Sequence, residues 1–231
     1  MIKVKNLSKK FINGENTTIA LNDISFEVLE GEFLTITGRS GSGKSTLLYQ
    51  LGLLDHPTSG EVYIDNFRVD NLPQNLRTQL RLNKLGYIFQ DYAILPSLTA
   101  LENVMVPLLM QGVSDKEAEG KAIEALNKIK LGHRINNLPS QLSGGEQQRV
   151  SIARAIAHGP KIIFADEPTA NLDSETSKSV LDAFLELNKT GQTIIMVTHE
   201  QDYAVLGHRT LVLEDGKLKE DRHNKSHGST R

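Results

Sequence analysis

The 231-residue chain contains no cysteine, and this absence removes two structural devices at once. Disulfide bonds and thiolate zinc sites are excluded, and the composition suits a reducing compartment such as the cytosol. Basic and acidic side chains are nearly balanced, with 26 Lys and Arg against 28 Asp and Glu, so the formal net charge is −2. Because there is no global basic excess, we do not expect nucleic acid to be a partner.

Long apolar segments are also missing. No run approaches the roughly 20 consecutive apolar residues that a membrane-spanning helix needs, so membrane attachment would require another chain. The first residues, MIKVKNLSKKF, lack the apolar core of a signal peptide, and we therefore expect a cytoplasmic location. The length fits one large domain, or a domain with a small inserted lobe.

A glycine-rich loop separates a predicted strand from a predicted helix. Phe33–Thr37 has the β-branched, apolar character of a short buried strand, and helical spacing begins at Leu47. The loop between them matches a P-loop, whose backbone N–H groups and following helix surround phosphate; Lys44 would contact the outer phosphates and Ser45 would ligate Mg²⁺. A glycine-rich turn ending in a solvated lysine is the simpler alternative. The candidate phosphate-binding residues are Gly38, Arg39, Ser40, Gly41, Ser42, Gly43, Lys44, Ser45 and Thr46.

Two further predicted strands end in residues suited to phosphate chemistry. Asp166 and Glu167 follow the apolar run Lys161–Ala165, and His199 follows Gln192–Thr198. Ligands of open parallel sheets collect beyond the carboxyl ends of the strands. We expect Asp166 to ligate Mg²⁺ directly or through one of its bound waters, and Glu167 to polarise the attacking water. His199 would hydrogen-bond the γ-phosphate and that water. A solvated acidic turn and a solvated histidine at a helix start are the alternatives.

The middle of the chain changes character after another predicted strand, Gly86–Phe89. The amide of Gln90, which follows it, would contact Mg²⁺ or the attacking water, unless it is an ordinary polar loop residue. From residue 91 to residue 141 the pattern is helical, and Thr99–Glu102 and Ser114–Glu117 are sequence matches to capping boxes. These features predict an inserted helical lobe.

The segment Leu142–Gln147, LSGGEQ, resembles the signature of ATP-binding-cassette ATPases. A P-loop by itself leaves kinases, GTPases and transport ATPases open, but this segment lies between the P-loop and the acidic strand, as that family requires. Gln90, Asn171–Asp173 and His199 resemble the family's Q-loop, D-loop and switch histidine. The resemblance extends from about Ile2 to about Glu220.

The resemblance implies an α/β fold: a P-loop NTPase (RecA-like) core, an N-terminal antiparallel β subdomain and an inserted α-helical subdomain. It also implies a homodimer in which ATP lies between Lys44 of one copy and Ser143 of the other. The Ser143 hydroxyl, glycine N–H groups and a following helix, expected over Gln147–Ala157, make physical sense as half of an anion site; a flexible turn is the alternative. The nucleotide contacts outside the P-loop would be Phe11, Ser143, Gly144, Gly145, Glu146 and Asp173.

The predicted domain boundaries follow the same layout. One ABC ATPase domain covers residues 1–220, with a core of residues 1–90 and 159–218 and a helical lobe of about residues 91–158. Ile2–Leu7 and Ile19–Val28 alternate as antiparallel strands do, and Phe11 before their turn would stack on adenine or, alternatively, serve the core. The polar residues 219–231 are expected to be disordered.

Two longer segments, Gln90–Leu108 and Asp166–Asp173, resemble the ATPases of lipoprotein release and of macrolide or antimicrobial-peptide efflux. The resemblance implies an integral membrane permease as partner, with the chain peripheral at the inner face of the cell membrane. Tyr92, Ile94 and Leu95 are candidate permease contacts, unless they are buried in the lobe. A regulatory ATPase that moves no cargo and a stand-alone P-loop phosphotransferase remain the alternatives.

Overall fold

The computed structural model describes residues 1–14 and 16–224. Two compact units make up the chain: residues 1–78 together with the chain from Gly191 onward, and residues 79–190. The elements in chain order are β1 (Ile2–Asn13), β2 (Asn16–Val28), β3 (Phe33–Gly38), α1 (Lys44–Leu51), β4 (Ser59–Ile64), β5 (Phe67–Arg68), α2 (Gln74–Lys84), β6 (Leu85–Ile88), α3 (Ala100–Met110), α4 (Asp115–Lys128), α5 (Gly144–Ile156), β7 (Ile162–Asp166), α6 (Ser174–Lys189), β8 (Thr193–Val197), α7 (Gln201–Ala204), β9 (Arg209–Glu214) and β10 (Lys217–His223).

An antiparallel sheet with strand order β2-β1-β4-β5 occupies part of the first unit. Ile2 pairs with Val28 and Val4 with Phe26, and all four side chains are buried. Their alternation with exposed residues is the pattern of a sheet with one buried face. The predicted N-terminal antiparallel subdomain is confirmed, although β1 extends beyond the predicted alternating segment.

A mixed sheet region in the same unit has the strand order β10-β9-β3-β8. Strand β3 is parallel to both β8 and β9, whereas β9 and β10 are antiparallel. Every residue of β8 is buried, as are the first five of β3. Parallel strands covered on both faces are near-continuous apolar runs, which is why both strands were predictable.

The structure corrects the expectation of a disordered tail for residues 219–224, because residues 220–223 of β10 pair with β9 and the Asn224 N–H donates to the His208 carbonyl at 2.9 Å. The guanidinium of Arg209 also forms an ion pair with the Asp221 carboxylate. The strand is polar and mostly exposed, so no apolar period marks it in the sequence. Residues 225–231, which the same prediction covered, lie outside the described residues.

The second unit contains the helices α3, α4, α5 and α6 and the parallel strand pair β6 and β7. Helix α5 packs against α3, α4, α6 and β6. The capping box at Thr99 is formed, but the one predicted at Ser114 is wrong, since Ser114 is the N-cap of α4 without a side-chain hydrogen bond. The predicted lobe of residues 91–158 falls within this unit, and its boundaries stay a prediction. Over the described part of the chain, no helix is both long and apolar enough to span a membrane.

Candidate functional site

The predicted phosphate loop connects β3 to α1, and its glycines are required by close backbone contacts. A Cβ at Gly38 would lie closer than 3.0 Å to the carbonyl oxygen of Leu213, and one at Gly43 equally close to that of Ala20. Gly43 also has φ 98° and is the N-cap of α1. Side chains at these positions would push the loop away from the flanking strands, so its curvature depends on glycine.

The polar groups of the loop indicate that it binds an anion. The ammonium of Lys44 is buried and donates to the carbonyl oxygens of Gly38 and Arg39, each at 3.0 Å. The Ser42 hydroxyl is buried and has no hydrogen-bond partner among the described residues. A buried hydroxyl without a partner, beside a lysine and the start of a helix, fits a phosphate group.

His199 lies at the edge of the sheet that carries this loop. Strands β3 and β8 are parallel, Ile36 pairs with Val197, and the Thr198 N–H donates to the Ile36 carbonyl at 3.1 Å. Both strands therefore end at the same level, and His199 is exposed just beyond β8. The structure thus brings together two predicted site elements that are more than 150 residues apart in sequence.

Phe11 is half-exposed on β1, opposite Thr18 of β2. The ammonium of Lys9 lies 5.0 Å from the centre of its ring. The ring is therefore not a core residue, and its exposed face can stack on a planar group. Its contact with adenine stays a prediction.

In the second unit, strands β6 and β7 carry the other predicted catalytic residues. They are parallel, with Ile88 paired to Ala165, so Asp166 at the end of β7 and Gln90 and Glu167 just beyond the strands lie at one edge. Asp166 is buried, and Glu167 has φ 43°. A positive φ is unusual for a residue with a side chain and is often found at functional sites.

Three of the predicted site residues carry oxygen donors of the kind that binds magnesium. Within the described ranges no three His, Cys, Asp or Glu side chains are grouped to hold a metal ion. Hydroxyl, amide and carboxylate oxygens of Ser45, Gln90 and Asp166 are nevertheless hard ligands of the type that Mg²⁺ accepts along with water and phosphate. The donor chemistry therefore fits the predicted metal.

Helix α5 begins at Gly144, three residues earlier than predicted, and Ser143 is its N-cap. The Ser143 hydroxyl accepts from the Glu146 N–H at 3.3 Å, and the Glu146 carboxylate accepts from the Ser143 N–H at 2.8 Å. Hydrogen bonds from the Ser143 N–H and from Arg134, at 2.9 Å, lower the pKa of Glu146. The capping box thus fixes an exposed serine and the first-turn N–H groups in the geometry of an anion site.

Asp173 is the N-cap of α6, a role that sequence analysis did not assign. Its carboxylate accepts from the Thr176 N–H at 2.9 Å and from the Thr176 hydroxyl at 2.7 Å, and these bonds lower its pKa. A Cβ on Gly145 would lie closer than 3.0 Å to the methyl carbon of Thr176. The starts of α5 and α6 are therefore in contact, and Thr176 is a positioning residue that sequence analysis missed.

Hydrogen bonds hold the segment that begins at Gln90, and they come from residues to which no such contact was assigned. The Asn171 side chain donates to the Gln90 carbonyl at 3.0 Å. Tyr92 is half-buried with its hydroxyl close to Gly144, and Arg154 donates to the carbonyls of Tyr92 and Ala93. Hydrogen bonds of this kind depend on tertiary packing and leave no periodic signal in the sequence.

Of the predicted permease contacts, Tyr92 and Ile94 are half-buried, while Leu95 is exposed.

Comparisons with known proteins agree with this geometry. Residues 21–170 match the family model described as ABC transporter. The lipoprotein-releasing system ATP-binding protein LolD of Aquifex aeolicus is 50% identical, over 94% of this chain and 96% of its own length. The macrolide export ATP-binding/permease protein MacB of Mannheimia succiniciproducens is 45% identical over 96% of this chain, which spans 34% of that relative.

A solved structure extends the likeness to the fold. The dimeric structure of the ATP-binding cassette MJ0796 of Methanocaldococcus jannaschii, in a post-hydrolysis state bound to ADP and Pi, matches with a TM-score of 0.91 and 42% identity. The match covers 98% of this chain and all of that one. With the phosphate loop, the acidic strand end and the capped LSGG helix, these findings show that the chain is an ATP-binding, ATP-hydrolysing member of the ABC transporter family.

Proposed function

We propose that two copies of the chain pair head to tail, so that each ATP lies between the phosphate loop of one copy and the Ser143 helix start of the other. The N-terminus of α5 carries this proposal, since exposed Ser143 caps a helix whose first-turn N–H groups suit an anion. The dimeric ADP-bound and Pi-bound state of MJ0796 supports it at 42% identity.

In this proposal each group acts on a particular part of the nucleotide. Lys44 and the loop N–H groups hold the outer phosphates, and Phe11 stacks on adenine. Glu167 accepts a proton from the attacking water, while His199 hydrogen-bonds the γ-phosphate. Ser45, Gln90 and Asp166 would hold Mg²⁺, which when bound neutralises charge on the phosphates.

The proposed partner is an integral membrane permease, which would place the chain at the inner face of the cell membrane. The names of LolD and of the ATP-binding/permease protein MacB support a role in export or lipoprotein release. The helical lobe, residues 91–158, with Leu95 exposed, is the proposed docking region. Co-purification with a permease in detergent, followed by a transport assay, separates this function from a regulatory ATPase that moves no cargo.

The variant Ser143→Arg tests the shared site. It replaces a hydroxyl donor with a bulky side chain, and loss of one transition-state donor typically costs ~2.7–4 kcal/mol, or roughly 100- to 1000-fold in kcat. ATP binding should survive, because the phosphate loop is unchanged. Steady-state hydrolysis and equilibrium binding of a fluorescent ATP analogue measure the two effects.

Ser140→Arg is the matched control, since Ser140 is exposed in the turn before α5 and lies outside the capping box. We expect it to hydrolyse ATP at the wild-type rate. Normal hydrolysis by Ser143→Arg would contradict the shared site.

A further inference from the structure

The backbone just after Gln90 has an unfavourable conformation at two successive residues. Tyr92 has φ 63° and Ala93 has φ 49°, both in the left-handed region. L-amino acids with a side chain avoid this region, and two in a row persist only when surrounding contacts hold them.

Arg154, on the third turn of α5, provides such contacts. Its guanidinium donates to the Ala93 carbonyl at 2.6 Å and to the Tyr92 carbonyl at 3.0 Å. Burial lowers the pKa of Arg154, while the nearby Asp91 carboxylate opposes that shift. A planar guanidinium suits this arrangement, because its donors are fixed in a fork that can reach two acceptors at once.

The same segment also contacts the opposite end of α5. The Tyr92 hydroxyl lies against Gly144, where an added Cβ would be 2.9 Å from the oxygen. The Asn171 side chain also donates to the Gln90 carbonyl at 3.0 Å. The residues after Gln90 therefore touch α5 both at its signature end and at Arg154.

We propose that Arg154 is a positioning residue for ATP hydrolysis. By fixing the carbonyls of Tyr92 and Ala93 on α5, it makes the Gln90 loop and the Ser143 helix start move as one body. It touches neither nucleotide nor water in this scheme. The inference rests on the proposed roles of Gln90 and Ser143 in hydrolysis.

The variant Arg154→Lys tests this role, because a single ammonium keeps the charge but lacks the fork. We expect kcat for ATP to fall roughly 10- to 100-fold, the effect of slightly misplaced catalytic groups. The KM for ATP should stay near the wild-type value, because the phosphate loop does not change.

The readout that a merely structural role would not move is kcat at an unchanged KM, and relief of the backbone strain should move it back. Ala93→Gly removes the cost of the positive φ, so in the Arg154→Lys background it should restore part of the lost kcat. Ala93→Gly by itself should leave kcat close to wild type. Arg149→Lys is the matched control, since Arg149 lies on the same helix but donates to Ser179 of α6 at 3.0 Å, and it should keep the wild-type kcat.

Each outcome is decisive. A wild-type kcat in Arg154→Lys, or a loss that Ala93→Gly does not repair, overturns the inference. If Arg154→Lys does not fold, the double variant Arg154→Lys/Ala93→Gly is assayed instead: a kcat below that of Ala93→Gly at an unchanged KM supports the inference, and an equal kcat or failure to fold overturns it. Normal hydrolysis by Ser143→Arg would instead contradict the proposed function, so the two failures are distinguishable.

Discussion

Replacing Gly145 by alanine tests the packing between the starts of α5 and α6. The new Cβ would lie closer than 3.0 Å to the Thr176 methyl group. Thr176 cannot rotate away freely, because its hydroxyl donates to Asp173 at 2.7 Å. The steric conflict therefore has to be relieved by moving one helix or by breaking that cap.

Three free-energy terms determine the size of the effect. Overpacking a well-packed contact costs typically ~1–3 kcal/mol, and losing the cap bond costs about 1 kcal/mol. Alanine recovers at most about 1 kcal/mol over glycine in a helix. With the cap broken, we therefore expect the free energy of unfolding to fall by about 1–3 kcal/mol, and each kcal/mol lowers Tm by about 2–4 °C in a chain of this size.

Thermal and urea unfolding measure the change, and two variants make it specific. Thr176→Ser removes the methyl group and keeps the hydroxyl, so the double variant Gly145→Ala/Thr176→Ser should regain most of the lost stability. Gly120→Ala on α4, where an added Cβ meets nothing within 4 Å, should instead stabilise the protein by about 0.5–1 kcal/mol. If Gly145→Ala is as stable as the wild type, or Thr176→Ser recovers nothing, the packing argument is refuted.

Two other predictions concern catalysis and pH. Glu167→Gln keeps the shape of the proposed base without its charge, so kcat should fall about 10²- to 10⁴-fold and an ATP-bound dimer should accumulate. Sedimentation with ATP, with ADP as control, checks this, and only monomer with ATP would count against it. Burial lowers the pKa of His158 below its unfolded value of 6.5, against a weaker opposing effect of its hydrogen bond to Leu85. Its contribution to stability is therefore complete above pH 6.5 and is lost as pH falls below it, because the unfolded chain takes up the proton first. Tm measured at pH 7.5 and 5.5 should depend less on pH in His158→Gln than in the wild type, and an unchanged dependence would refute the assignment.

Several parts of the fold and site followed from local sequence. The runs that became β3, β7 and β8 are apolar throughout because parallel strands are covered on both faces. The Thr99 capping box was readable because its partners lie three residues apart. The glycine-rich loop between β3 and α1 was predictable for a similar reason, since its glycines and Lys44 belong to one short segment.

Prediction was weaker where a local pattern competed with longer-range contacts. Ser114 has the residues of a capping box but does not form its side-chain bond. Strand β10 was missed because its stabilisation comes from pairing with β9 and from the ion pair of Asp221 with Arg209, neither of which requires apolar residues in that segment.

The sequence by itself determined the chemical groups of this ABC ATPase and the strands or helices that carry them, because these depend on neighbours within a few residues. Tertiary structure decided which groups meet. The register of β3 and β8 brings His199 to the edge of the sheet that carries the phosphate loop, and the fork of Arg154 contacts two residues at positive φ that follow Gln90. Such contacts join residues tens of positions apart or more, and their geometry exists only once the chain has folded.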